Sequence, residues 1–184
     1  LSRAQRALKL SPTFDDLVTI NIQKTIKCPN PNCLSENKTT DLISSIPIID
    51  FDLSRSLLTL NEITELNDYK CEKCSFSGDF HIESQVKELP RLLYFHHNHK
   101  NTRPIKFTEN YQLTINSRTI NYRLHMLVYH CGSQRTGHYY LHLYQQSRDT
   151  GTKPIVYYIN DETVNLYQGS PKEYDLVSLL FLLN

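Results

Sequence analysis

Apolar and polar positions alternate along much of this chain, and this alternation predicts strands. Residues 17–23 and 46–51 are β-branched segments of this kind. After residue 90 the same pattern dominates, in segments 91–96, 111–115, 119–129, 138–145 and 154–159. The apolar run 176–183 fits either a buried strand or the end of a helix.

One segment shows helical rather than alternating spacing. Leucines and isoleucines recur at roughly helical intervals over residues 54–66, and Ser54 or Ser56 could cap a helix there. The pattern as a whole predicts an α+β fold with a mostly antiparallel sheet and few helices. It does not predict a doubly wound nucleotide-binding fold.

Charge and hydropathy exclude some classes of function. The 184 residues carry 20 basic and 19 acidic side chains, a net charge of +1, which argues against binding to bulk nucleic acid. No apolar run is long enough for a transmembrane helix, so no membrane association is expected. Residues 1–10 are basic and amphipathic, without the apolar core of a secretory signal. Because this segment also lacks an initiator Met, we interpret the chain as a fragment or a processed product.

Four of the five cysteines form two closely spaced pairs. Cys28 and Cys33 lie in CPNPNC, Cys71 and Cys74 lie in CEKC, and 37 residues separate the pairs. Two tight turns can present four thiolates to one tetrahedral zinc ion, and such a closed site is structural. Two disulfides, or four unrelated thiols, are the alternatives. An odd cysteine count without a signal favours a reducing, intracellular compartment and therefore zinc.

A second candidate site centres on a histidine. Gly137 precedes His138 at the start of a predicted strand, and Asn160 and Asp161 end another predicted strand 22 residues further on. A general-base imidazole needs a neighbour that fixes its tautomer, and an Asn or Asp at an adjacent strand end supplies one. Taken alone, the segment also fits an ordinary histidine followed by a turn.

These motifs together resemble the ubiquitin-specific proteases along nearly the whole chain. NDYKCEKC is similar to that family's second zinc knuckle, and KELPRLLYFHHNHK to its Leu-Pro segment before a hydrophobic strand. YRLHMLVYHCGSQRTGHYYLHLY resembles its histidine box, VYYINDETV the following box, and LVSLLFLL its closing strand. The order and spacing of the segments carry the resemblance.

The resemblance implies a fold and a site. It implies a papain-like architecture in which approximately 15–88 form a zinc-binding fingers subdomain and 89–184 form the palm, with the thumb missing. His138 would be the general base, Asn160 its orienting residue, and Asp161 an assisting group. Cys28, Cys33, Cys71 and Cys74 would bind one structural Zn²⁺. The partner would be ubiquitin or a ubiquitinated protein, held by the fingers, with its tail near the loop 130–132.

Three departures from the family pattern affect this interpretation. No cysteine box occurs in the 27 residues before Cys28, so the nucleophile would come from an upstream segment or a second chain. Cys131 replaces a small residue and is expected to be a partly buried structural thiol, not a nucleophile. The histidines at positions 96, 97 and 99 suggest a metal cluster, but strand geometry places them on two faces, so a half-buried strand end is expected.

Three hypotheses remain open at this point. The chain could be part of an active deubiquitinase, or a pseudo-protease that binds ubiquitin or another protein without cleaving it, or a zinc-ribbon module that binds nucleic acid. The presence of both His138 and Asn160 favours the first, and near-neutral charge disfavours the third. A palm without its thumb should expose apolar surface, so we expect poor solubility or a covering partner.

Overall fold

We describe the fold from a computed structural model of the chain. The structure describes residues 13–97, 103–115, 117–133, 136–146, 153–169 and 175–183. The amphipathic segment 1–10 and His99 lie outside the described residues. Among the described residues, no helix has the length and apolar character needed to cross a membrane.

The first sheet is a four-stranded antiparallel ladder in the order β2-β1-β5-β4. Its strands are β1 (Ile20–Lys27), β2 (Glu36–Ile43), β4 (Ile63–Lys70) and β5 (Ser77–Glu88). The loops β1–β2 and β4–β5 lie at the same end of this sheet, since Lys27 pairs with Glu36 and Lys70 with Ser77. This arrangement brings both Cys pairs to one tip.

The second sheet has eight strands, in the order β11-β10-β9-β8-β12-β6-β3, with β7 also paired to β8. Only the short β3–β6 pairing is parallel. The strands are β3 (Ile46–Pro47), β6 (Leu92–His96), β7 (Asn110–Ile115), β8 (Arg118–Gly132), β9 (Gly137–Gln145), β10 (Ile155–Asn160), β11 (Thr163–Leu166) and β12 (Leu176–Leu183). The 15-residue β8 contacts three other strands and organises the sheet.

In the part of the chain that the structure describes, two short helices accompany the sheets. Helix α1 (Phe14–Val18) begins with a capping box between Thr13 and Asp16. Helix α2 (Leu53–Leu58) is capped by Asp52, whose carboxylate accepts hydrogen bonds from the backbone N–H groups of Ser54 and Arg55. A 3₁₀ turn, Thr59–Asn61, follows.

The main hydrophobic core lies between α2 and one face of the second sheet. Leu53, Leu93, Phe95, Leu127 and Phe181 are fully buried there. The opposite face is also apolar but lacks a covering layer among the described residues. A cross-strand row on that face includes Leu180, Met126, Leu143 and Leu166, which are half-buried or exposed.

The structure confirms a mostly antiparallel α+β fold with few helices, and the strands predicted after residue 90 are present. The apolar run 176–183 is a strand. Three predicted elements are present but were given the wrong bounds. Segment 17–23 begins in α1, the strand predicted at 46–51 has only two residues, and the helix predicted over 54–66 ends at Leu58.

The predicted helix cap was also wrong, because Asp52 caps α2 in place of Ser54 or Ser56. Ser56 is buried and serves a different purpose. Its hydroxyl donates to the Asp52 carbonyl at 2.9 Å and accepts from the Ile49 N–H at 2.8 Å.

Candidate functional site

The four paired cysteines meet at the tip of the first sheet. Their sulfur atoms all lie within 4.8 Å of one another. The Sγ atoms of Cys28 and Cys74 are 3.6 Å apart, and those of Cys33 and Cys71 are 3.8 Å apart. None of the five cysteines is in a disulfide, so the structure does not support the disulfide alternative.

Tight turns aim these sulfurs at one point. In the first loop the Cys33 N–H donates to the Asn30 carbonyl at 2.9 Å, and the Asn30 side chain accepts from the Asn32 N–H at 3.0 Å. In the second loop the Ser75 N–H donates to the Cys71 carbonyl at 2.8 Å. Each turn reverses the chain, so both members of a pair face the same side.

The geometry of this sulfur cluster fits a tetrahedral zinc ion. A Zn–S bond of about 2.3 Å places two thiolates of a tetrahedron about 3.8 Å apart. Two of the sulfur pairs, at 3.6 and 3.8 Å, match that edge. Four sulfur donors suit zinc and leave no coordination position for water or a substrate.

The protonation of the cluster indicates why it needs a cation. Hydrogen bonding from the Cys74 backbone N–H lowers the pKa of the Cys71 thiol to about 6. Desolvation raises the pKa of Cys28 to about 12 and raises the pKa of Cys33 as well. One thiol therefore ionises readily, whereas a full set of four thiolates requires a bound positive charge.

Packing behind the sulfurs supports them. Cys33, Cys71 and Phe80 form a small buried cluster separate from the main core. The ring of Tyr69 meets Phe80 edge-on, with centroids 4.8 Å apart. This cluster is small for a free sheet end, so a cross-link through a metal would contribute much of its stability.

The second site brings His138 and Asn160 together. His138 is the second residue of β9 and Asn160 the last of β10, and these strands are antiparallel neighbours. The Nε2 atom of His138 is hydrogen-bonded to Asn160 Oδ1. Because an amide oxygen only accepts, the proton lies on Nε2, and Nδ1 is then the basic nitrogen of the ring.

Asp161 lies beside this pair but has a weaker contact with the imidazole than Asn160 has. Its carboxylate is 3.8 Å from His138 Nε2, and its side chain is 76% exposed. The residue has a positive φ of 51° and begins the turn into β11. Because water screens an exposed carboxylate, the interaction of Asp161 with the imidazole is weak.

A cleft of about 320 Å³ surrounds the histidine. Its lining includes His138, Asn160, Tyr140, Tyr158 and Asp175. Burial is the main cause of a raised pKa of Tyr140, with a smaller effect from the charge of Asp175. The aromatic lining was not predicted, although alternation places Tyr158 on the same face of β10 as Asn160.

Cys131 does not have the environment predicted for it. It was expected to be partly buried, but it is exposed at the edge of the cleft. The residue pairs with His138 across β8 and β9, near the end of the hairpin, where few layers cover the sheet. Its sulfur lies 3.5 Å from the backbone carbonyl of His138, so its nearest polar partner is the backbone.

Two glycines hold the hairpin that presents His138. Gly132 has φ of +127°, a conformation that strongly favours glycine. A Cβ atom at Gly137 would overlap the imidazole of His130 and lie 2.8 Å from the Cys131 carbonyl oxygen. The glycine before His138 therefore allows a close approach that a side chain would prevent.

We expect the Gly137→Ala substitution to destabilise the chain by about 1–3 kcal/mol, because the added methyl must displace His130 and the hairpin backbone. Denaturant unfolding of the 184-residue chain measures this change. Gly78→Ala is the matched control, since its methyl would meet only the half-exposed ring of Phe76 at 3.2 Å. Equal losses for the two variants would contradict the explanation.

His96 and His97, at the end of β6, have different surroundings, as expected for neighbours on a strand. His96 Nδ1 lies 3.2 Å from the Ser178 hydroxyl, whereas the His97 ring packs near Phe51 with centroids 5.2 Å apart. The two imidazoles therefore have different neighbours. Both are half-buried at the end of β6.

Comparisons with known proteins agree with this geometry. The family model described as ubiquitin carboxyl-terminal hydrolase matches residues 3–181. No curated protein sequence matches the chain significantly.

Solved structures share the fold. One is the SAGA deubiquitinase module Ubp8/Sgf11/Sus1/Sgf73 bound to monoubiquitin, with a TM-score of 0.69 and 19% identity over 92% of this chain and 41% of that chain. The same module bound to ubiquitin aldehyde has a TM-score of 0.68 and 18% sequence identity, and the match covers 92% of this chain and 42% of that chain. A yeast SAGA deubiquitinase module with an Sgf73 mutant has a TM-score of 0.72 and 18% sequence identity, and the match covers 100% of this chain and 46% of that chain. The chain thus spans less than half the length of the matching chain in each of these three structures.

Proposed function

Because this chain belongs to the ubiquitin carboxyl-terminal hydrolase family, we propose that it is part of a thiol-dependent deubiquitinase. Its role would be to supply the histidine base and the fingers, while the nucleophilic cysteine comes from outside residues 1–184. The observation that carries the proposal is the hydrogen bond between His138 and Asn160 in an open cleft.

In this proposal His138 acts as general base and then as general acid. Nδ1 takes the proton from a cysteine thiol, and the thiolate attacks the carbonyl of the last glycine of ubiquitin. The imidazolium returns the proton to the leaving amine, and a water activated by the same nitrogen hydrolyses the thioester. Asn160 orients the ring, and Asp161 assists by stabilising its protonated form.

Cys131 is a poor substitute for the missing nucleophile. Its sulfur lies near the backbone of the strand that carries the base, with the His138 carbonyl at 3.5 Å. The other four cysteines form the sulfur cluster at the opposite sheet. A nucleophile from a further segment or a second chain would therefore complete the site.

The proposed architecture is papain-like. Residues of approximately 15–88 would form the fingers and 89–184 the palm, with the thumb supplied by the missing part. The uncovered apolar row that includes Met126, Leu143, Leu166 and Leu180 supports this, since such a face is stable only when it is covered. It also supports the expectation of poor solubility for the isolated chain.

The proposed cofactor is one structural Zn²⁺ bound by Cys28, Cys33, Cys71 and Cys74. The sulfur spacing and the need of the thiolates for positive charge support it. Thiolate ligands persist in a reducing compartment, so we place the protein inside the cell, in the cytoplasm, the nucleus or both.

The proposed partner is ubiquitin or a ubiquitinated protein. Two of the similar structures hold monoubiquitin or ubiquitin aldehyde, and they are multi-subunit assemblies. A nucleic-acid-binding module is less well supported, because the net charge of +1 provides no basic surface of the usual strength.

A hydrolysis assay tests the proposal. The longest natural form of the protein should release a fluorophore attached to the C-terminus of ubiquitin, whereas residues 1–184 alone should not. A thiol-alkylating reagent should abolish the activity of the long form. Activity of the 184-residue chain alone, at a comparable rate, would show that the nucleophile has been wrongly placed.

One observation favours a second candidate function. The only cysteine outside the sulfur cluster is Cys131, so residues 1–184 could bind ubiquitin without cleaving it. In that case the long form would bind ubiquitin but remain inactive in the hydrolysis assay.

A further inference from the structure

The side chain of Asn30 connects the two loops that carry the sulfur cluster. Asn30 belongs to the loop between β1 and β2, and its Nδ2 atom lies 3.7 Å from the Sγ atom of Cys74 in the loop between β4 and β5. Because sulfur is a large atom, a hydrogen bond to it is longer than one to oxygen, and this distance lies within its range. The contact therefore links two positions that are 44 residues apart in sequence.

The orientation of the Asn30 amide follows from its two partners. Its Oδ1 accepts a hydrogen bond from the backbone N–H of Asn32 at 3.0 Å, and a backbone N–H can only donate. The NH₂ end then faces Cys74. A thiolate that binds a metal has no proton, so it can only accept. Both contacts therefore require the same orientation of the amide.

The loop itself holds Asn30 in place. Pro31 restricts the backbone of Asn30, and the Asn30 carbonyl accepts a hydrogen bond from the Cys33 N–H at 2.9 Å. Four residues separate Cys28 from Cys33, whereas two separate the cysteines of the second loop, so the first loop has room for this extra side chain. Because the turn already fixes the backbone, little conformational entropy is lost when the amide contacts Cys74.

Cys74 differs from the other three cysteines of the sulfur cluster. It is exposed, whereas two of the others are buried. Backbone N–H groups donate to the other three sulfurs, from Asn30 to Cys28, from Ser35 to Cys33 and from Cys74 to Cys71. At Cys74 a side chain, that of Asn30, is a donor. Four thiolates carry more negative charge than one Zn²⁺ neutralises, so N–H groups aimed at the sulfurs stabilise the set.

We propose that Asn30 is a positioning residue of the metal site, which donates a hydrogen bond to the Cys74 thiolate, ties the two loops together and slows loss of the ion through this exposed ligand. The inference rests on the proposed Zn²⁺ but not on the proposed hydrolysis. The hydrogen bond makes the thiolate a weaker base, so its protonation, which releases a ligand from the ion, becomes less favourable. It also restrains the second loop, which cannot move away without breaking the contact.

The rate of zinc release from the longest natural form of the protein tests this inference. The protein is mixed with an excess of a chelator that changes colour when it binds Zn²⁺, and the signal that Cys71→Ser lacks identifies this site. We expect Asn30→Ala to release the ion about 10-fold faster and to bind it about 10-fold more weakly, as is common when an outer hydrogen-bond partner of a metal ligand is lost.

Asn32→Ala is the matched control. Asn32 is an exposed asparagine of the same loop, and it contributes its backbone N–H, which alanine retains. Its rate of zinc release should stay within about twofold of that of the parent protein.

A third variant, Asn30→Asp, separates the hydrogen bond to sulfur from the role of Asn30 in the turn. A carboxylate still accepts from the Asn32 N–H, but it cannot donate, and its charge repels the thiolate. We therefore expect Asn30→Asp to release zinc at least as fast as Asn30→Ala. If Asn30 only shaped the turn, Asn30→Asp would behave like the parent protein, and that result would overturn the inference.

The zinc content distinguishes this inference from the proposed metal site. If Cys71→Ser removes no zinc from the protein, the metal site is wrong and the inference falls with it. If Cys71→Ser removes one ion but both Asn30 variants release that ion at the parent rate, only the inference is overturned. Neither result depends on hydrolysis of ubiquitin, because the readout is the ion.

Discussion

Replacement of His138 by alanine is expected to lower the rate of ubiquitin release by about 10⁴-fold in the complete protease. The reason is that the imidazole at the Asn160 hydrogen bond is the proposed acceptor of the thiol proton. Residual activity would come from binding and from transition-state contacts made by other groups. Steady-state kinetics with a fluorogenic ubiquitin substrate measure the change, which should fall on kcat.

The matched control is His125→Ala. His125 is a half-buried histidine of β8 that does not line the cleft. Its loss should change kcat by less than about threefold, within the effect expected of a minor change in packing. A His138→Ala enzyme that retained a tenth or more of its activity would remove His138 from the catalytic role.

Removal of the proposed zinc ion is expected to have the second large effect, on the first sheet. Cys71→Ser, or treatment with a strong chelator, should lower stability by about 5 kcal/mol and the melting temperature by about 10 °C or more. The loss should be local to the sheet tip, because only the small cluster around Phe80 supports the two loops without a metal. Calorimetry and metal analysis of the purified chain measure both quantities.

Cys131→Ser is the control for this experiment. Cys131 is the one cysteine that does not belong to the sulfur cluster, so the variant should keep one zinc ion per chain and its melting temperature. If Cys71→Ser retains zinc and melts like the parent chain, the metal site is wrongly assigned.

Most strands of the second sheet could be predicted from sequence, whereas in the first sheet only β1 was predicted. Strands such as β6 and β8 place apolar side chains in the core, so their alternation is visible. Strand β2 is mostly exposed and has a polar sequence, so no apolar alternation predicted it. The helix predicted over 54–66 was too long for another reason. The first leucines of this segment belong to α2 and the last to β4, and periodicity does not show where the helix ends.

The candidate site shows the same division. The spacing of the cysteine pairs predicted that the four sulfurs would lie together, because tight turns constrain neighbours in sequence. The hydrogen bond between Asn160 and Tyr158 was not predicted, since it depends on the orientation of both side chains in three dimensions. The exposure of Cys131 was missed because sequence does not show how many layers cover the end of a hairpin.

The most direct test of the account uses ubiquitin that carries a thiol-reactive electrophile at its C-terminus. The longest natural form of the protein is incubated with this probe, and mass spectrometry locates the adduct. We predict an adduct on a cysteine outside residues 1–184, which the His138→Ala variant forms much more slowly. An adduct on Cys131, or none on a protein that still binds ubiquitin, would contradict the claim that this chain supplies the base of a working deubiquitinase.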